Sequence, residues 1–125
     1  MIVELILPWP PSVNHYWRSP STGKLAGRHL VSEKGRQYRE SVACHVSMEG
    51  AARRLPGRLE VIITLHPPDR RRRDIDNSMK SLLDALGHAG VYEDDSQIDR
   101  LHIVRQWGGK PGTVVVRIEE IRVLG

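Results

Sequence analysis

The sequence predicts an α+β domain of two layers, a mixed β-sheet of about four strands with two helices packed on one face, in the order βαβαββ. Three observations carry that expectation. Within "RLEVIITL", Leu59, Val61, Ile63 and Leu65 alternate with Glu60, Ile62 and Thr64, the period of a strand with one face buried. Further on, Met79, Leu82, Leu83, Leu86 and Ala89 fall on one stripe of a helix. The chain of 125 residues, 39% hydrophobic and 27% charged, has room for one hydrophobic core and little more, so residues 1–125 read as a single domain.

The elements follow in order. Residues 2–7 are β-branched and leucine-rich, a strand that must end at Pro8 because "PWPPS" lacks backbone donors. A long loop to about Leu30 comes next. Ser32 is placed as an N-cap, and Tyr38, Val42 and Val46 recur at helical spacing, which predicts an amphipathic helix from 33 to about 50, slightly weakened by Gly35. The strand through 59–65 stops at Pro67 and Pro68. A second helix starts near Asp76 and Asn77, with Asp76, Lys80 and Asp84 at four-residue intervals on the face opposite its apolar stripe. After Gly87 and Gly90 the acidic turn "EDDSQID" leads into a strand from about Ile98 to Trp107. A "GGKPG" turn and a last strand from Thr113 to about Val123 follow, the two strands forming a hairpin.

Composition narrows the function. No apolar run approaches the roughly 20 residues of a membrane span. The opening "MIVELILPWPP" is too short and lacks the basic flank of a signal peptide. One cysteine, Cys44, cannot form an internal disulfide and fits a reducing cytoplasm. P-loop, dinucleotide and G-x-S-x-G signatures are absent. His15, His29, His45, His66, His88 and His102 are scattered without paired ligand spacing, which argues against zinc and for polar surface or loop positions.

The net charge of +4 is unevenly spread. Lys24, Arg28, Lys34, Arg36 and Arg39 form one basic region, Arg70, Arg71, Arg72 and Arg73 a second, and residues 93–99 hold four acids. Such a division suggests a polyanion held by cations and a metal ion held by carboxylates. Asp74 and Asp76 lie where an extended segment becomes a helix, and Asp94 or Asp95 supplies a third ligand if the acidic turn folds back beside them. Three such carboxylates would repel by about 4 kcal/mol per pair at ~4 Å and an effective dielectric of ~20, a cost Mg²⁺ offsets with oxygen ligands, waters and substrate phosphates. A second reading stays open: Asp74 and Asp76 as helix-start acids favoured by the macrodipole, and Lys80 as half of a surface ion pair. Trp9, Tyr16 and Trp17 in "LPWPPSVNHYWR" either stack on bases or close the core, whereas Asn14 and Arg18 are candidates for backbone or base contacts.

The run "PDRRRRDIDNSMKSLLDALGHAGVYEDDSQI", together with "LPWPPSVN" and "VSEKGRQYRESV", resembles the RusA-type Holliday junction resolvases over essentially the whole chain. An arginine run, D-x-D-N, a lysine, D-A-L and a D-D pair in that succession make the resemblance specific. It implies that Asp74, Asp76 and Asp95 are metal-binding catalytic carboxylates and Lys80 the catalytic lysine, with Asp84 and Asp94 at matching positions of undefined role. It also implies a Mg²⁺-dependent homodimer that binds four-way DNA junctions and nicks two opposed strands, leaving 5′-phosphates, with no small-molecule cofactor and no membrane. Eight arginines of a dimer, all on phosphates, would set an upper-bound salt slope of roughly −7 at about −0.9 per contact. The competing readings are a non-catalytic basic DNA-binding protein and a related nuclease that prefers flaps or other branched DNA.

Overall fold

The computed structural model describes residues 1–21, 23–28 and 30–122. Strand β1 (Ile2–Pro8) alternates exposed and buried positions and turns Val3, Leu5 and Leu7 inward. Strand β4 (Leu59–His66) does the same with Leu59, Val61, Ile63 and Leu65, as its alternation predicts. Between them lies helix α2 (Glu33–Met48), whose Ser32 side chain accepts the Gly35 N–H at 3.0 Å. Its buried stripe is Tyr38, Val42 and Val46. Helix α3 (Met79–His88) adds Met79, Leu82, Ala85 and Leu86, with Leu83 and Ala89 at the margin of the same core.

The four-stranded sheet has the order β1-β6-β4-β5, completed by β5 (Ile98–Arg105) and β6 (Thr113–Glu120). β6 is antiparallel to both β1 and β4, and β5 is parallel to β4, so the sheet is mixed. The predicted hairpin of the last two strands is therefore not formed, since they flank β4 on opposite sides. Burial explains the choice. β6 brings Val114, Val116 and Ile118, all fully buried, and so takes the gap between β1 and β4. β5 carries Asp99, Arg100 and His102, all exposed, a composition suited to a sheet edge. The expected end of the last strand at Val123 lies outside the described residues.

Three further predictions are corrected. The long loop after β1 contains a one-turn helix, α1 (Val13–Tyr16), and a short ladder of β2 (Trp17–Arg18) with β3 (Leu30–Val31). Helix α3 begins at Met79, so Asp76 precedes it and does not share its polar stripe with Lys80 and Asp84. Gly35 is more than a weak helix residue. A Cβ there would sit 2.5 Å from the Tyr16 carbonyl oxygen and 2.6 Å from Val31 Cγ1, so the glycine lets α2 approach the α1 turn.

Tyr16 makes that approach consequential. Its ring is buried, and its hydroxyl donates to the Asp84 carboxylate on α3, which also accepts from Arg39 on α2 through Nη2 at 2.7 Å. One tyrosine thus joins three helices through a charge-assisted network. Burial, then the bond to Asp84, pushes the Tyr16 phenol up to about 12. Burial likewise raises Tyr38, which donates to the Pro8 carbonyl at 2.9 Å, and Tyr92.

Gly35→Ala is expected to destabilise the protein by about 1–3 kcal/mol, because backbone and Val31 must both move. Urea unfolding with an unchanged m-value checks this. All three tyrosines have folded values above the ordinary 10.0, so their neutral forms are favoured on folding and the associated stability is fully present below pH 10.0. It falls as the pH rises from 10.0 toward about 12 and beyond, because the unfolded chain ionises first. Tyrosinate absorbance of the folded protein should show no step near pH 10.0, and Tyr16→Phe should shallow the alkaline loss of stability. A native step at the ordinary value would contradict the burial argument.

Candidate functional site

Beyond His66 the chain cannot continue the β4 ladder, because Pro67 and Pro68 supply no N–H. It leaves the sheet through a bend at residues 68–70 that opens the arginine run. Asp69 organises that segment. One carboxylate oxygen accepts the Arg71 N–H at 2.9 Å and Arg73 Nη1 at 2.9 Å, and the Asp69 carbonyl accepts Arg73 Nη1 at 3.2 Å. The Arg73 guanidinium, followed by the Arg71 N–H, holds the Asp69 carboxyl below its usual range. Arg105 donates to the Arg73 carbonyl at 2.7 Å and ties the segment to the end of β5.

The four arginines therefore divide. Arg73 is tucked in, with its side chain 22% exposed and 5.8 Å from the Trp9 ring centre. Arg70 lies over Trp107 at 4.6 Å. Arg71 projects outward, 84% exposed, with only a 3.6 Å contact to Asp69. Arg72 is exposed, and its side chain has no partner among the described residues. Two of the cations, Arg70 and Arg73, are engaged by Trp107 and by Asp69 and Trp9, three positions apart and so not in the alternation of a strand, and the other two are left for solvent or a polyanion.

Asp74 and Asp76 follow on a turn in which the Asn77 N–H bonds the Asp74 carbonyl at 3.2 Å and the Met79 N–H bonds the Asp76 carbonyl at 3.1 Å. The proline segment after β1 holds that turn in place. Val13 N–H donates to the Asn77 carbonyl at 2.9 Å, and Ser81 Oγ donates to the Pro11 carbonyl at 2.6 Å. Both acidic side chains are exposed, and among the described residues neither has a hydrogen-bond or ion-pair partner. Neither caps the helix: Ser78 is the N-cap residue, its Oγ donating to the Pro10 carbonyl at 3.3 Å and making no capping bond, and the first turn of α3 contains no acid. The helix-start role for Asp74 and Asp76 thus lacks the contacts it needs.

Three further aspartates near α3 are engaged, while Glu93 in the same cleft is exposed. Asp84 belongs to the Tyr16 and Arg39 network. Asp94 caps the short 3₁₀ turn Asp95–Gln97, accepting the Ser96 N–H at 3.1 Å in a reciprocal capping box with Gln97. Its carboxyl is held below the usual range by the Ser96 side chain and then by the Ser96 N–H. Asp95, the next residue, instead faces Lys80 Nζ at 3.7 Å. Lys80, Asp84, Asp94 and Asp95 line one cleft of about 360 Å³ with Arg39 and His88.

Asp74 lines a different, tighter recess with Trp9, Arg73 and Arg105. Among the described residues no three His, Cys, Asp or Glu side chains converge on one point, so the expected grouping of Asp74, Asp76 and Asp95 is not assembled in the single chain. The donor chemistry nonetheless fits a hard cation. Asp74 and Asp76 offer exposed, unpaired carboxylate oxygens, and Mg²⁺ is commonly held by one or two carboxylates with waters and phosphate oxygens completing the shell.

Asn14 is exposed on α1, one residue from the Val13 bond to the acidic turn, and Arg18 is exposed on β2. Trp9 packs against the core, and Trp17 meets Tyr16 edge to face at 5.1 Å, so both rings help close the interior. His29 lies outside the described residues. The Arg39 to Asp84 pair and the Arg70 to Trp107 stack escaped the sequence reading. The first joins residues 45 apart in sequence, and the second depends on a loop crossing that no local pattern announces.

Among the described residues no helix is long and apolar enough to cross a membrane. A family profile described as Endodeoxyribonuclease RusA matches residues 8–119. The chain is 36% identical over 121 residues to a crossover junction endodeoxyribonuclease of Enterobacteria phage HK97, covering 94% of this chain and 97% of that protein. It is 38% identical over 118 residues to the enzyme of that name from Escherichia coli strain K12, covering 94% of each. The corresponding protein of Enterobacteria phage 82 is 38% identical over 120 residues, again with 94% of each chain covered.

Proposed function

The chain belongs to the RusA family of endodeoxyribonucleases, and from that premise we propose that it cuts four-way DNA junctions as a single-domain, Mg²⁺-dependent nuclease, working as a homodimer in the cytoplasm. One observation carries the reading: Asp74 and Asp76 are exposed and unpaired directly beside Arg71 and Arg72, while Asp84, Asp94 and Asp95 around α3 are engaged. Unpaired carboxylates beside outward-facing guanidinium groups suit a site whose missing partners are a cation and a phosphodiester.

Asp74, Asp76 and Asp95 are the proposed cation ligands. Bound Mg²⁺ supplies Lewis-acid activation of water and neutralises charge on the scissile phosphate and the 3′-oxygen leaving group. Asp95 joins that set by giving up its contact with Lys80, which frees the ammonium to stabilise charge developing on the phosphate. Arg71 and Arg72 hold the backbone directly. Arg70 and Arg73 shape the segment and reach phosphates only by leaving Trp107 and Asp69. Asn14 and Arg18 contact the strand from the α1 side. The scission leaves 5′-phosphates, and two identical sites in a two-fold dimer suit a nearly two-fold junction.

Asp76→Asn should abolish junction cutting in Mg²⁺ while leaving junction binding intact in a gel-shift titration; retained cutting would sink the assignment. The neighbouring acids give a sharper contrast. Asp95→Asn should lose cutting, whereas Asp94→Ala should keep it and lose about 1 kcal/mol of stability as a capping residue. Lys80→Ala should lower the cutting rate about 10²–10³-fold. A protein that only binds DNA would show no strand scission with or without EDTA, and equal cutting of flaps and junctions would identify a broader branched-DNA nuclease. The salt dependence of binding tests the division of the arginines. Removing Arg71 or Arg72 should flatten the slope of log K against log salt by about 0.9 per arginine per chain, and Arg73→Ala should change it far less.

A further inference from the structure

At the end of the sheet a second hollow lies apart from the acidic cleft. Because β5 and β6 flank β4, the loop between them must cross the end of β4. It is pinned there by Gln106 N–H to the Leu65 carbonyl at 2.9 Å and Gly112 N–H to the His66 carbonyl at 2.8 Å. Gly109 passes so close to the His66 ring that a Cβ would lie 2.2 Å from Nδ1. The crossing leaves a hollow of about 320 Å³ lined by His66, Pro68, Arg70, Trp107 and Pro111, at the lower end of the size range of small-ligand sites. Trp107 is 47% exposed in its wall, and His66 Nδ1 is buried with no hydrogen-bond partner among the described residues.

We propose that Trp107 is the platform of a base-binding subsite that takes one unstacked nucleobase from the branch of the junction. The inference rests on the junction-nuclease reading and adds a specificity determinant to it. Arg70 begins the arginine run that continues outward through Arg71 and Arg72, so a strand tracked along those cations brings its bases to this hollow. Bases inside a duplex are already stacked, and a branch point is where one is least costly to withdraw. An indole face accepts any base, and its contact requires no particular hydrogen-bonding edge.

Arg70 occupies the Trp107 face at 4.6 Å. Two stacking gaps of about 3.5 Å each would be needed to hold a base between them, so guanidinium and base exclude one another. Arg70 therefore leaves the ring for a phosphate as the base arrives. The exchange replaces an exposed cation–π contact with a stack and a charge-assisted bond, and it couples backbone capture to base capture.

The test uses a four-way junction with 2-aminopurine at the branch, the same label in a linear duplex, and EDTA to prevent cutting. Wild-type protein should quench the junction label on binding and leave the duplex label unchanged. Trp107→Ala should abolish the quench and weaken junction binding about 10- to 100-fold, while Trp107→Phe keeps the quench and binds within about threefold of wild type. Unchanged binding and quenching in Trp107→Ala, equal losses in both variants, or an equal effect on linear duplex would each overturn the subsite. Wild-type cutting of the unlabelled junction in Mg²⁺ is measured in parallel. If it is present, those failures remove the subsite alone; if it is absent, the junction-nuclease reading falls and the subsite with it.

Discussion

Two consecutive prolines, Pro67 and Pro68, end the one strand that has neighbours on both of its sides and also leads into the arginine run. β4 is hydrogen-bonded to β5 along one side and β6 along the other, and the chain must leave that ladder abruptly. Both segments of functional interest are consequences of that stop. One is the chain's exit, which carries Arg70, Arg71, Arg72 and Arg73 before Asp74 and Asp76 and then enters α3. The other is the loop that crosses the same strand end on its way from β5 to β6 and brings Trp107 to the arginine run. A sheet with β5 and β6 paired as neighbours would need no such crossing, and Trp107 would have no reason to meet Arg70.

Electrostatic economy decides which charges at that end remain available. Asp69 draws in Arg73, Arg39 draws in Asp84, and the backbone of the acidic turn draws in Asp94. Each pairing removes a charge from the solvent side and fixes a piece of chain. Engaged groups serve position; unpaired ones are left for a ligand. Exposed ion pairs are individually weak, so Lys80 and Asp95 can separate at little cost, which suits groups that must change partners during a reaction.

Much of this was legible in the sequence. The period of two in residues 59–65, the spacing of Tyr38, Val42 and Val46, and the Ser32 cap each encode a local structure that forms as read. The pairing of the last two strands was not legible, because short-range turn chemistry in "GGKPG" points to a hairpin while the burial demand of Val114, Val116 and Ile118 is a long-range property. That long-range demand won. Gly35 was misjudged for a related reason: propensity counts it as a flaw, and only the nearness of Tyr16 and Val31 makes it a requirement. The acidic set was legible as a list of residues, but its sorting into caps, paired groups and unpaired groups depends on contacts between distant segments.

Asp94 and Asp95 show how fine that sorting is. They are adjacent and chemically identical, and apart from the family resemblance, which points to Asp95, residue type and spacing give no ground for preferring either as the third ligand. The capping box breaks the symmetry, because a residue at the N-cap turns its side chain back onto the N–H groups of the turn it begins. Asp94 is committed to Ser96 in that way. The following residue, already inside the turn, projects its carboxylate outward toward α3, where Lys80 receives it. A structural duty assigned to the first acid is thus what orients the second, and the pair functions as a cap and a pointer rather than as two candidate ligands.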